Sequence, residues 1–381
     1  MTGRPPQLAI IQALRGVAAA AVVLYHARVF IDGPAYLSVG TRLLGSGGAG
    51  VDLFFVISGF IMVHTTAQLD GSPRDALEFL IRRFARIWPV WIVALACMWA
   101  LTRAIPGHGF DVTWTIMGKG AVFYPKLPQH DAPFFGYPLL HPGWSLEYEA
   151  FFYALFTIAL VVPRRWRPLG LAALFATCLI AVPLVTKRHV QWDAMKTYGY
   201  RGYLCIVTSP ILWDFVMGMV VAFIYRSRFT PRDRGLLACF AALAAGAVLW
   251  QLLSQYRLGH GPTRWGIPLG VLVLALTMLD KAQPIAVPRW LTWLGDVSFS
   301  LYLFHIMPQM LPRIWKHQPQ LMGGGGFFVA CVVMGVVLAY LGHRFLERGL
   351  SEWVRKRLLA WLGPRRATDP APAPDGSVGP P

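Results

Sequence analysis

Charge is scarce in this chain. Only 14% of its 381 residues are Asp, Glu, Lys or Arg, against about a quarter in an ordinary soluble domain. Acidic residues are scarcer still, with 18 Asp and Glu beside 35 Lys and Arg. Cysteine is rare, and Cys97, Cys178, Cys205, Cys239 and Cys331 stand singly in apolar segments. No two of them have zinc or redox spacing, so packing is their expected role and no metal site is expected. No internal repeat is visible either, which removes the usual pointer to an inverted-repeat transporter.

Apolar sequence is what the chain has in excess. Hydrophobic residues make up 56%, with 15 Trp and 23 Phe, and the mean hydropathy is +0.50. Runs near twenty residues recur throughout, each long enough to cross ~30 Å of hydrocarbon. They predict an all-α, polytopic membrane protein with about ten transmembrane helices. The expected spans are 9–30, 50–68, 84–104, 145–162, 169–186, 205–225, 235–254, 266–281, 290–312 and 324–346. The first resembles a signal peptide in its basic start and apolar stretch, but Arg15 interrupts it and no polar cleavage region follows, so it reads as a retained span. The connection 105–143, rich in Pro, Gly and aromatics, is the longest. Residues 1–350 are expected to form the membrane domain. Residues 351–381 are expected to form a cytoplasmic tail, basic and then Pro-rich and disordered.

The net charge of +17 would suit nucleic acid, but the basic residues lie in short loops between apolar runs. Placing the N-terminus in the cytoplasm puts 22 of the 35 Lys and Arg on the inside. That bias predicts both termini cytoplasmic and no nucleic-acid partner.

A few polar residues stand where a bilayer penalises them. "LRGVAAAAVVLYH" carries Arg15 and His26 eleven residues apart, which is ~16 Å of helix and nearly a whole number of turns. Asp52 in "GVDLFFVISGF", Glu149 in "WSLEYEAFFY" and His305 in "VSFSLYLFH" are expected at depths comparable to His26. "RRFARIWP" puts Arg83 and Arg86 near the depth of Arg15. Two polar layers result, a cationic one inside and an acid/base one outside. Each residue also has a plainer role. The arginines could snorkel as positive-inside anchors, and His26 could be a satisfied core histidine. Asp52 could serve a helix dipole. His305, with Ser298, Ser300 and Tyr302, could hold helices together, and His64 is expected to pack. Intramembrane ionisable groups usually serve a function, and the layering is the stronger observation.

Taken in order, "LRGVAAAAVVLYH", "GVDLFFVISGF", "RRFARIWPVW", "WSLEYEAFFY" and "VSFSLYLFH" resemble motifs of the acyltransferase family 3 membrane proteins, which O-acylate bacterial surface and secreted carbohydrates. The resemblance runs from about residue 8 to 350, and the "WSLEYEAFFY" form is similar to the exopolysaccharide-acetylating branch. It implies ten spans in the bacterial inner membrane, a cytoplasmic acyl-CoA donor, acetyl-CoA by preference, and no tightly bound cofactor. The acceptor it implies is an extracytoplasmic or lipid-linked carbohydrate, with membrane lipids and glycan-assembly proteins as further partners. The family's Arg–ten residues–His motif falls on Arg15 and His26, with His26 catalytic. Its Arg-x-x-Arg falls on Arg83 and Arg86, and its Glu on Glu149. Some members carry a fused extracytoplasmic hydrolase-like domain, which is not expected here.

On this reading Arg15, Arg83 and Arg86 hold the donor phosphates and the pantetheine arm reaches towards His26. His26 acts either as general base or as acyl carrier, with Glu149, rather than Asp52, orienting it. Trp144, Ser145, Ser298, Tyr302 and His305 are candidate supporting residues. A membrane carrier or flippase for a glycan or lipid is the alternative, since it too would line a path with ionisable groups.

Overall fold

The computed structural model describes residues 8–32, 39–104, 114–229, 233–311 and 324–363. Arg4, residues 105–113 of the long connection and the Pro-rich tail beyond 363 lie outside the described residues. Helix accounts for all the regular structure among them. The main elements are α1 (Ala9–Ala27), α2 (Gly50–Thr66), α3 (Pro73–Arg103), α4 (Trp144–Leu160), α5 (Arg167–Lys187), α6 (Leu212–Arg226), α7 (Arg234–Ser254) and α8 (Ile267–Ala282). They are followed by α9 (Arg289–Asp296), α10 (Ser298–Phe304) and α11 (Gly325–Trp361).

The ten expected segments fall on these helices, the ninth on the broken pair α9 and α10. Seven helices among the described residues are long and apolar enough to cross a membrane. Those containing α4, α6 and the α9–α10 pair are shorter. Their exteriors fit a bilayer: α7 exposes Leu236, Leu243, Leu249, Trp250 and Leu253, and α11 exposes Val329, Val333 and Val337. Apolar faces that continuous are not stable in water.

Two boundaries differ from expectation for a physical reason. α3 begins at Pro73 rather than near 84, because Ser72 caps it by accepting from the Asp75 N–H (3.0 Å) and Pro73 occupies its first turn. That first stretch is charged and carries no hydropathy signal. α11 continues through a π-helical stretch, Gly342–Ser351, into Glu352–Trp361. The boundary expected at 350 therefore lies inside a continuous helix, which includes the basic start of the expected tail. Its basic face pairs internally (Arg355 to Glu352, 2.5 Å) and packs along α3, where Arg74 donates to the Gly363 carbonyl (2.6 Å).

Close helix packing centres on α2. A Cβ on Gly59 would stand 2.1 Å from the Phe215 carbonyl oxygen, and one on Gly218 would stand 1.8 Å from that of Val56. α2 and α6 thus cross backbone to backbone, as small residues allow inside membranes. Phe55, Phe152 and Phe215 fill the space beside the crossing, with ring centroids 4.3–4.6 Å apart in the Phe55–Phe215 and Phe152–Phe215 pairs. α1 meets α9 in the same way, since a Cβ on Gly295 would stand 2.0 Å from the Gln12 carbonyl. Gly218→Val should lower the thermal midpoint of the detergent-purified protein and its monodisperse yield. Gly246→Ala, where a Cβ meets nothing within 4 Å, should leave both unchanged in the same fluorescence-monitored melt.

Candidate active site

One face of α1 carries Arg15, Ala19, Val22 and His26. Ala19 and Val22 are buried, Arg15 is buried, and His26 is half-buried at the far end. Gln12, one turn before Arg15, accepts from its Nη1 (3.1 Å) and donates to Asp296 at the end of α9 (2.5 Å). The first cation is thereby fixed to a neighbouring helix through a neutral amide.

Beside this stripe lies an open cavity between α1, α2, α3, α4 and α10, into which Arg15, Arg83, Arg86, Glu149 and Tyr153 face. Glu149 Oε1 accepts from the Tyr153 hydroxyl, one turn further along α4, and from Ser58 Oγ (3.3 Å). Arg83 donates to Thr65 Oγ1 (3.5 Å) and lies over the Tyr153 ring, 5.8 Å from its centroid. Glu347 of α11 accepts from the Ser300 backbone (3.1 Å) and from its hydroxyl (2.5 Å), within electrostatic range of Arg15 and Arg86. Three guanidiniums thus face two carboxylates. The imbalance leaves the cavity lining net positive.

Ser145, Ser298 and Tyr302 line the same cavity. The Tyr302 hydroxyl is 2.7 Å from Ser145 Oγ and donates to the Pro142 carbonyl (3.0 Å). His305, three residues on, is fully buried, and its ring lies 6.2 Å from Tyr302 and 5.2 Å from His26. Its Nδ1 is 3.1 Å from the Leu301 carbonyl, which can only accept, so the proton sits on Nδ1. Nε2 of His305 is left as a buried lone pair with no partner. The guanidiniums and the Ser145–Tyr302 hydroxyls therefore line one cavity, and the two imidazoles lie next to its Tyr302 edge.

A family model described as an acyltransferase domain matches residues 8–362. The chain belongs to this acyltransferase family. It is 31% identical over 328 residues to the exopolysaccharide production protein ExoZ of Rhizobium meliloti, covering 84% of this chain and 95% of that one. It is 32% identical over 322 residues to a Komagataeibacter xylinus protein named "Putative membrane-bound transacylase BcsY", covering 77% and 71%. A Staphylococcus aureus protein named "Putative O-acetyltransferase SACOL0978" is 24% identical over 359 residues, covering 88% of this chain and 56% of that one. No solved structure matches. Family membership together with the apolar helices makes this a multi-pass membrane acyltransferase.

Within that acyltransferase, Arg15, Arg83, Arg86 and Glu149 share a cavity, and Ser145, Ser298 and Tyr302 border it. His26 and His305 adjoin it through Tyr302. Glu149 departs from its expected role. Its hydrogen bonds go to Tyr153 and Ser58, it faces the guanidinium layer, and among the described residues none joins it to His26. Asp52 departs too. Gly50 and Gly47 abut the Ala18 and Ala21 carbonyls, so α2 begins beside the middle of α1, about two turns below His26. There Asp52, with no exposed surface, accepts from Gly261 N–H (2.6 Å) and lies 2.7 Å from His260 Nδ1. Trp144 packs on that imidazole, 5.2 Å between centroids. His64 does pack as expected, stacked on Phe60.

Four contributors escaped the sequence reading. Tyr153 was within reach, one helical turn from Glu149 on the same face. Ser58, Glu347 and His260 carry no local signal, because only chain folding brings them to the site. The positive cavity predicts that inorganic pyrophosphate raises the thermal midpoint of the purified protein. The double variant Arg83→Ala, Arg86→Ala should lose that rise in the same melt.

Proposed function

We propose that this acyltransferase moves an acyl group, acetyl in the first instance, from cytoplasmic acyl-CoA to a hydroxyl of an extracytoplasmic or lipid-linked carbohydrate. On this reading it sits in a bacterial inner membrane with both termini in the cytoplasm. The single observation that carries the reading is a cavity lined by three guanidiniums and bordered by Tyr302, beyond whose ring His305 and then His26 follow at 6.2 and 5.2 Å between centroids. The printed names of the relatives, exopolysaccharide production and O-acetyltransferase, supply the acceptor class and the acyl group.

The chemistry follows from the charge distribution. Coenzyme A has anionic phosphates at one end and a thioester at the end of a long flexible arm. Arg15, Arg83 and Arg86 pair with the phosphates, where planar guanidiniums offer two-point contacts. Glu149, held by Tyr153 and Ser58, and Glu347 keep those cations in place between turnovers. Arg15 and His26 are separated by ~16 Å of helix, a span the pantetheine arm can cover. At the outer end His26 takes the proton of the acceptor hydroxyl as its oxygen attacks the thioester carbonyl. The carbon–sulfur bond breaks, and the departing thiolate takes up that proton. His305, with its free Nε2 beside His26, supports the imidazole, and the Ser145–Tyr302 pair lies along the route of the arm.

With labelled acetyl-CoA and acceptor, His26→Ala should lower transfer by about 10²-fold or more while the protein keeps its membrane level and donor affinity. Arg83→Ala and Arg86→Ala should each weaken acetyl-CoA binding about tenfold, read by equilibrium binding of the labelled donor. Wild-type transfer by the His26 variant would remove the base from the mechanism.

A further inference from the structure

The Pro-, Gly- and aromatic-rich connection before α4 plays no part in the mechanism above. Its described portion, 114–143, is tied down over the bundle. Trp91 and Trp88 donate to the Gly120 and Ala121 carbonyls (2.9 and 3.1 Å), and the Tyr148 hydroxyl donates to that of Pro133 (2.7 Å). Left-handed backbone at Asp131, Phe135 and Gly136 reverses the chain there. The reversal presents Tyr137, 40% exposed, with its ring stacked on Phe134 at 4.7 Å and 24°.

Phe134 in turn stands edge-on to His260, 5.6 Å between centroids. That imidazole is unusually constrained for a loop residue. Its Nδ1 lies 2.7 Å from Asp52, which also accepts from Gly261 N–H (2.6 Å). With its Nδ1 proton given to a carboxylate, His260 presents Nε2 as an acceptor, and among the described residues Nε2 forms no hydrogen bond. Asp52 lies about two turns below His26, and the His260 ring reaches from it towards the reacting end. Gly48 stands between His260 and Tyr25, since a Cβ there would be 3.8 Å from Cε1 of the one and 3.9 Å from Cε2 of the other. The Tyr25 ring is 5.0 Å from that of His26.

A part-exposed aromatic ring, one ring away from a largely buried but oriented hydrogen-bond acceptor, matches a sugar, which has an apolar C–H face and a rim of hydroxyls. We propose that this surface is the acceptor subsite. Tyr137 stacks on a sugar ring of the glycan, and Nε2 of His260, held by Asp52, accepts from one of its hydroxyls so that another reaches His26. The proposal rests on the carbohydrate acceptor argued above. A purely structural Asp52–His260 tie would instead act through stability and donor binding.

The test uses purified full-length protein, labelled acetyl-CoA and the surface glycan of the bacterium that carries the gene, freed of O-acyl groups by mild base. Tyr137→Ala and His260→Ala should each raise the KM for glycan about tenfold with acetyl-CoA affinity within error of the parent, and Tyr137→Ala should also keep the parent's thermal midpoint. Tyr137→Phe should restore the parent value. An unchanged glycan KM in Tyr137→Ala, or a loss confined to donor affinity, would overturn the subsite. If the parent protein transfers nothing to this glycan and a deletion strain keeps its O-acyl content, the carbohydrate reading itself falls.

Discussion

A guanidinium cannot leave water without an answering charge, and this bundle encloses three of them around one cavity. Arg15 and Arg83 are buried, and Arg86 lines the same space. Much of the surrounding polar structure exists to hold those cations. Gln12 fixes Arg15 to α9, Glu149 is pinned by Tyr153 and Ser58, and Glu347 is brought in from the last helix. Two carboxylates against three cations leave an unmet positive charge. In a medium where ions cost several kcal/mol, that excess of charge is the feature on which the proposed donor binding rests.

The same economy separates the cavity from the imidazoles. His26 and His305 adjoin it across a hydroxyl pair rather than a charge. No carboxylate bonds to His26 among the described residues, while Asp52, about two turns lower, belongs to another histidine. On the proposed reading the guanidiniums serve the donor and the imidazoles the proton, with a hydroxyl pair between them.

Much of this was legible in the linear chain. Apolar runs located the helices, because hydrocarbon thickness demands about twenty such residues. Helical phase put Arg15 and His26 on one stripe, and a count of depth put Arg83 and Arg86 near the level of Arg15. Ends of helices were less legible. The first turns of α3 and the last of α11 are charged, and they are helical because of capping and packing rather than hydropathy. Depth was misjudged for Asp52, since a count from one helix end does not reveal that α2 starts beside the middle of α1.

By itself the sequence determined the membrane class, the helical stripe and the residue types that could meet an anion and a hydroxyl, because those follow from period, length and charge along one chain. Pairing was decided only in three dimensions. Which carboxylate answers the arginines, which histidine Asp52 holds, and which tyrosine stands exposed beside it all depend on contacts between segments 90 to 210 residues apart. Those contacts are set by backbone crossings at Gly59 and Gly218, whose closeness is a property of packed helices and not of any local pattern.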